Sequence, residues 1–123
     1  MGIKEYFFDS YALIELIKGN PAYIKYGDEI VTITMLNLIE VTYAVFRSFG
    51  EEKAQEVYEK FKGCVQEPEC GIIIAALKLK DKYNKRHLSY ADCVGYAFAE
   101  SRDLVFLTGD EDFRDMKQVE FVK

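Results

Sequence analysis

"LSYADCVGYAFAESRDLVFLTGDEDF", residues 88–113, places a helix cap, an apolar helix, a strand and an acidic turn end to end. Ser89 stands where an N-cap belongs, ahead of a helical pattern over 90–101. "LVFLT", 104–108, is short and apolar without alternation, as expected of a strand covered on both faces. A helix feeding straight into such a strand is one unit of strand–helix alternation, which implies a parallel sheet. Ligands of open parallel sheets bind beyond the carboxyl ends of the strands, and "TGDEDF" falls there.

The same alternation runs outward from this stretch. Residues 3–8 read as a first strand and 10–18 as a helix ending near Gly19. "NPAYIKYG", 20–27, is a short helix or turn with Asn20 as its cap and Pro21 at its first position. "EIVTIT", 29–34, is β-branched and reads as a strand, with Thr34 capping a helix over 35–49. Residues 51–64 are amphipathic, with Ala54, Val57, Tyr58 and Phe61 on one face. Residues 64–70 connect to a helix over 71–85 whose stripe is Ile72, Ala75, Ala76, Leu79 and Tyr83. "VEFV", 119–122, is a last strand. No repeat, low-complexity segment or linker divides the chain, so residues 1–123 are expected to form one α/β domain.

Composition narrows the function classes. Half of the chain is hydrophobic and 15% is aromatic, enough for a real core and unlike a disordered chain. The net charge of −5 argues against a protein that binds nucleic acid through overall charge, although a local basic patch can coexist with acidic sites. Cys64, Cys70 and Cys93 form no C-x-x-C pair and are odd in number, so they read as reduced thiols of a cytoplasmic protein. No apolar run reaches membrane-spanning length, and no signal-peptide pattern opens the chain.

Four carboxylates occupy places that invite chemistry. Asp9 directly follows the first strand and Asp110 lies two residues past "LVFLT". Each also suits a helix N-cap. Glu40 lies in "MLNLIEVTYAVF", a helix so apolar all round that burial is expected. A buried carboxylate needs a cation, a hydrogen-bond network or a metal, and Arg47 is the nearest cation on that helix. Asp92 completes the capping box "SYAD", while Gly95 and Ala99 on its helix face are small enough to leave a hollow beside it. Asp112 can reach the same turn as Asp110, whereas Glu111 reads as solvated. Clustered carboxylates raise one another's pKa, and a hard divalent cation relieves them. All-oxygen ligands select Mg²⁺ or Mn²⁺ over zinc, and such ions suit attack of water on a phosphodiester.

Taken in order, Asp9 after the first strand, Glu40 in a mid-chain helix, "SYAD" and "LTGDEDF" resemble the PIN domain, and more narrowly the VapC-type toxins of prokaryotic toxin–antitoxin pairs. The resemblance spans essentially the whole chain. It implies a three-layer α/β/α domain with a central parallel sheet of four to five strands. It also implies an Mg²⁺- or Mn²⁺-dependent endoribonuclease that forms a homodimer and is neutralised by an antitoxin protein. By position, Asp9, Glu40, Asp92 and Asp110 match the family's four acids, and Asp112 matches an additional acid of some members. Ser10 and Thr108 match small hydroxyl residues that support the metal ligands. Tyr11, Tyr96 and Phe98 depart from the family pattern, which prefers small residues after Ser10 and alanines after the third acid.

RNA needs cations to approach an acidic protein. "KLKDKYNKRH", 78–87, supplies Lys78, Lys82 and Lys85 on one helical face with Arg86 following, a candidate path for a phosphate backbone or simply a solvated face. Arg47, Arg102 and Arg114 are further cations without a defined place. Tyr83 belongs to the apolar stripe, and the lone His87 reads as a loop residue. Two other classes compete. A catalytically inactive PIN-like module binding RNA or protein would keep the fold but be free to lose an acid. A phosphoacceptor receiver domain would need an acidic pair near the first strand and a lysine after a late one, and neither is present. No glycine-rich phosphate loop occurs.

Overall fold

Three apolar runs pair as strands: β1 (Tyr6–Phe8), β2 (Val105–Thr108) and β3 (Val119–Phe121). The computed structural model describes residues 3–123, and among these the sheet order is β1-β2-β3 with both pairings parallel. Phe7 stands opposite Phe106, and Leu107 opposite Glu120. Five helices surround the sheet: α1 (Ser10–Lys18), α2 (Met35–Phe49), α3 (Glu51–Phe61), α4 (Cys70–Lys82) and α5 (Tyr90–Ser101). Short 3₁₀ turns occupy Pro21–Tyr26, Lys62–Cys64 and Glu111–Phe113.

Period-two geometry sends alternate strand residues to opposite faces. Phe7 and Phe106 join a core with α4, α5 and Phe113. Tyr6, Phe8 and Leu107 join a second core with α1, α2, Tyr23 and Tyr26. The strands are therefore covered on both sides, which gives the three-layer α/β/α architecture. Phe7 stacks on Phe106 at 5.7 Å between ring centroids, and Phe106 meets Phe113 at 4.7 Å. Each such pair adds about 0.5–1.5 kcal/mol beyond the area it buries.

Two expectations need correction. The sheet has three strands, not four to five. Residues 29–34 form no continuous strand: Ile33 makes a single parallel bridge to Val65, and Thr32 accepts one bond from the Phe8 amide at 3.0 Å. These contacts lay Thr32 beside β1 and residues 64–66 beside Ile33, but each is too short to become a ladder, and Ile30 near the start of the segment is 83% exposed. The helix expected over 71–85 ends at Lys82, where Tyr83 leaves helical geometry.

α2 is not buried all round. Asn37, Leu38, Val41 and Val45 face the core, while Met35, Leu36, Ile39, Tyr43, Phe46 and Phe49 are exposed. Gly50 divides α2 from α3 in a backbone conformation with φ 91, which side chains with a Cβ rarely adopt.

Candidate active site

Topology alone brings the first acid to the sheet's carboxyl end. Asp9 follows β1 immediately, and its amide donates to the Leu107 carbonyl at 3.1 Å. Its Oδ1 accepts the Ala12 amide at 2.8 Å, so Asp9 does cap α1. Its Oδ2 accepts from Thr108 Oγ1 at 2.5 Å. Thr108 is fully buried at the end of β2, and its hydroxyl oxygen also accepts the Asp110 amide at 3.0 Å. One hydroxyl thus ties the ends of β1 and β2 together, holding the Asp9 carboxylate and the Asp110 backbone.

Asp9 is 2% exposed and makes no ion pair among the described residues. Burial raises its carboxyl pKa to about 7, against the pull of the Thr108 and Ala12 hydrogen bonds. The negative charges of Asp92 and Asp110 push it further up. Asp92 is raised by burial too, opposed by its bond from the Ser89 amide and reinforced by Asp110 and Glu40. The four acids therefore share one electrostatic neighbourhood.

Asp92 keeps its modest role as well. The Ser89 amide donates to Asp92 Oδ2 at 2.8 Å, and the Asp92 amide donates to Ser89 Oγ at 3.0 Å. That is a complete capping box. The hollow expected beside it does not exist. A Cβ at Gly95 would lie 2.7 Å from the Phe7 ring, so the missing side chain admits the β1 aromatic rather than a ligand.

Glu40 is exposed, contrary to the burial expected of it, because α2 turns only one of its apolar faces inward. Ser10 Oγ donates to its Oε1 at 2.5 Å. Arg47 does not pair with it and instead donates to the Tyr43 hydroxyl at 2.9 Å. Asp110 caps the 111–113 turn by accepting the Asp112 amide at 3.0 Å. The charge of Asp112 acts on Arg86.

The basic segment is partly committed elsewhere. Arg86 donates to both carboxylate oxygens of Asp115, at 2.9 and 3.1 Å, and to the Asp112 carbonyl. Its guanidinium lies over Tyr83 at 4.6 Å, which makes Arg86 a clasp between the 83–86 turn and the chain after β2. Lys78, Lys82 and Lys85 remain exposed and make no ion pair among the described residues. Tyr83 packs partly buried against the α4–α5 core, as its stripe implies.

Gly109, between Thr108 and Asp110, has a steric role that no spacing argument anticipates. A Cβ there would sit 2.2 Å from the Tyr11 ring and 2.4 Å from the Val122 carbonyl. Tyr11 occupies the space left by Gly109, so the bulky residue after Ser10 is accommodated at the acidic edge itself. Asn37 is a second residue that sequence reasoning passed over: its buried amide donates to Ser10 Oγ at 3.1 Å. Its spacing after Thr34, the T-x-x-N of a helix start, was the available signal.

A hard cation would find only carboxylate and hydroxyl oxygens here, which is the donor chemistry of Mg²⁺ or Mn²⁺. Asp9 in particular is a buried acid held beside two others without a counter-charge, which is what bound cation charge would relieve. As they stand, the side chains form no cage: among the described residues no three Asp, Glu, His or Cys groups are gathered closely enough to hold an ion.

Comparison with known proteins agrees with this architecture. Solved structures of similar fold include a toxin–antitoxin complex from Klebsiella pneumoniae, with TM-score 0.73 at 19% identity over 94% of this chain and 96% of that one. The sarcin-ricin loop cleaving toxin VapC20 of Mycobacterium tuberculosis gives 0.72 at 16% identity, over 96% and 97%. VapBC2 of Rickettsia felis, bound to a DNA fragment from its promoter, gives 0.71 at 14% identity, over 96% and 98%. At such identities the likeness is one of fold. A search of curated proteins returns no match. The family model of the PIN domain matches residues 6–119, from the first residue of β1 to the first of β3, and the chain belongs to the PIN domain family.

Proposed function

We propose that this protein is a divalent-metal-dependent endoribonuclease that hydrolyses RNA phosphodiester bonds, and that it is the cytoplasmic toxin of a VapBC-type pair. One observation carries the reading: a buried aspartate at the carboxyl end of the sheet, its pKa pushed up to about 7 by burial and by the charges of Asp92 and Asp110, with no ion pair among the described residues. Ionising that acid costs the fold stability. The fold gains a site for Mg²⁺ or Mn²⁺. Membership of the PIN domain family and fold likeness to toxin structures support the same class.

In this reading Asp9, Glu40, Asp92 and Asp110 would hold the metal, with Asp112 as an additional acid. A divalent ion held there would supply an activated water and stabilise charge on the phosphodiester. Thr108 holds Asp9 and the Asp110 backbone, and Ser10 holds Glu40. Lys78, Lys82 and Lys85, exposed on the segment that leads into Ser89 and Asp92, offer the phosphate backbone a path. Arg86 contributes by holding the turn that follows them.

The exposed apolar face of α2, with Phe49 and Tyr58, supports a homodimer and a protein partner such as an antitoxin. Sedimentation should show a dimer, and a monomer at high micromolar concentration would remove that part of the reading. The catalytic part is tested by Mn²⁺-dependent cleavage of RNA. The parent is expected to cut, and Asp92→Asn, which keeps an acceptor for the Ser89 amide, is expected to fold but not cut. Cutting at the parental rate by that variant would refute the assigned site. No cutting by the parent on any RNA, with no binding of Mn²⁺, would favour an inactive binding module.

A further inference from the structure

We infer that Asn37 is the residue that positions Glu40, acting through Ser10. The functional consequence rests on the metal site proposed above; the positioning itself does not. Asn37 is 1% exposed. Its Oδ1 accepts from the Thr34 amide at 3.0 Å and from Thr34 Oγ1 at 2.9 Å. A backbone N–H can only donate, so that side of the amide must be the oxygen. The NH₂ group therefore faces Ser10, and Nδ2 donates to Ser10 Oγ at 3.1 Å.

The direction of every later bond follows. With an N–H already donated to it, the Ser10 oxygen turns its single hydrogen elsewhere. Glu40 Oε1 is there, at 2.5 Å. The first turn of α2 thus orients an acid of that same helix, by way of the first residue of α1. Glu40 is exposed, and a free glutamate on a helix surface samples several rotamers. Ser10 without Asn37 would be an ordinary hydroxyl rotor, as ready to accept as to donate.

An isosteric change reverses this polarity. In Asn37→Asp one oxygen still serves Thr34, but the other now accepts from Ser10 and draws its hydrogen away from Glu40. Scalar couplings along the Glu40 side chain, measured by NMR on the metal-free protein, report the rotamer directly. The parent should show one rotamer. Asn37→Asp and Ser10→Ala should both show averaging, the double variant should add nothing to Ser10→Ala, and Ser10→Thr should restore the single rotamer. Averaging already present in the parent would overturn the inference. So would unchanged couplings in a folded Asn37→Asp. If that variant fails to fold, Asn37→Ser replaces it with the same expectations. Where Mn²⁺ binds the parent, calorimetry should show its dissociation constant raised about 10- to 100-fold in Asn37→Asp and Ser10→Ala, the range for lost ligand support. A parent that shows the single rotamer but binds no Mn²⁺ would sink the metal reading and leave the role of Asn37 standing.

Discussion

Two carboxylates of the same small sheet have opposite fates. Glu120, on the edge strand β3, is pushed up by burial, but hydrogen bonds from Tyr26 and Lys4 and the Lys4 charge outweigh this and hold its pKa below the ordinary value. Its Oε1 lies 3.1 Å from Lys4 Nζ, and Tyr26 donates to its Oε2. Asp9, at the end of β1, is more deeply buried, receives bonds from Thr108 and Ala12, and faces other acids where Glu120 faces a lysine. The fold supplies everything an ionised Glu120 needs. It supplies Asp9 with orientation and withholds the balancing charge. An acid that is held precisely yet left electrostatically unsatisfied is a functional candidate; one that is fully satisfied is structural.

The contrast predicts opposite pH behaviour. The largest effect belongs to Asp9. Its native pKa, about 7, exceeds its ordinary value of 3.8, so between those values the folded protein binds more protons than the unfolded chain. Metal-free stability should therefore fall as pH rises from about 4 to about 7, by an amount on the order of 4 kcal/mol if Asp9 acts alone. Urea unfolding across that range should show the decline in the parent and a much flatter profile in Asp9→Asn. A flat parental profile would mean that Asp9 is not the unbalanced acid described.

Glu120 should act with the other sign. Its depressed pKa gives a stabilisation present above the unfolded value and lost as pH falls through the folded one. Glu120→Ala leaves the Tyr26 hydroxyl without its partner, at a cost of about 1–3 kcal/mol. That variant should lower the thermal midpoint and leave Mn²⁺-dependent cleavage unchanged. A loss of cleavage in a folded Glu120→Ala protein would erase the distinction between the two acids.

The smallest effect concerns the basic path. Lys78→Gln with Lys82→Gln should weaken RNA binding without altering stability. The slope of log affinity against log salt should shrink by about 0.7 for each lysine that contacts a phosphate of single-stranded RNA. An unchanged slope would assign those lysines to a solvated helix face.

Much of this contrast could be read before any coordinates. β1 and β2 are unbroken apolar runs, and α1 and α5 begin at capping residues that their composition announces. The placement of Asp9 and Asp110 followed from topology alone. What failed did so for identifiable reasons. "EIVTIT" has strand composition, but a ladder needs a neighbour of matching length, and residues 64–66 offer Ile33 a single bridge. Glu40 was expected to be buried because α2 is apolar all round, yet composition cannot distinguish a face turned to the core from a face left for a partner. Gly95 looked like a hollow because a helix pattern does not reveal that Phe7 from a strand 88 residues earlier fills it. Nothing in the sequence ties Asn37 to Ser10, because the two lie on different helices.

The most direct test of the unbalanced-acid account is the thermal midpoint near pH 7.5, measured with increasing Mn²⁺ for the parent and for Asp92→Asn. If the acids form one cation site, Mn²⁺ should raise the parental midpoint steadily, and the variant should respond far less. A midpoint indifferent to Mn²⁺ in the parent, or equal shifts in both proteins, would contradict the claim that these carboxylates act together.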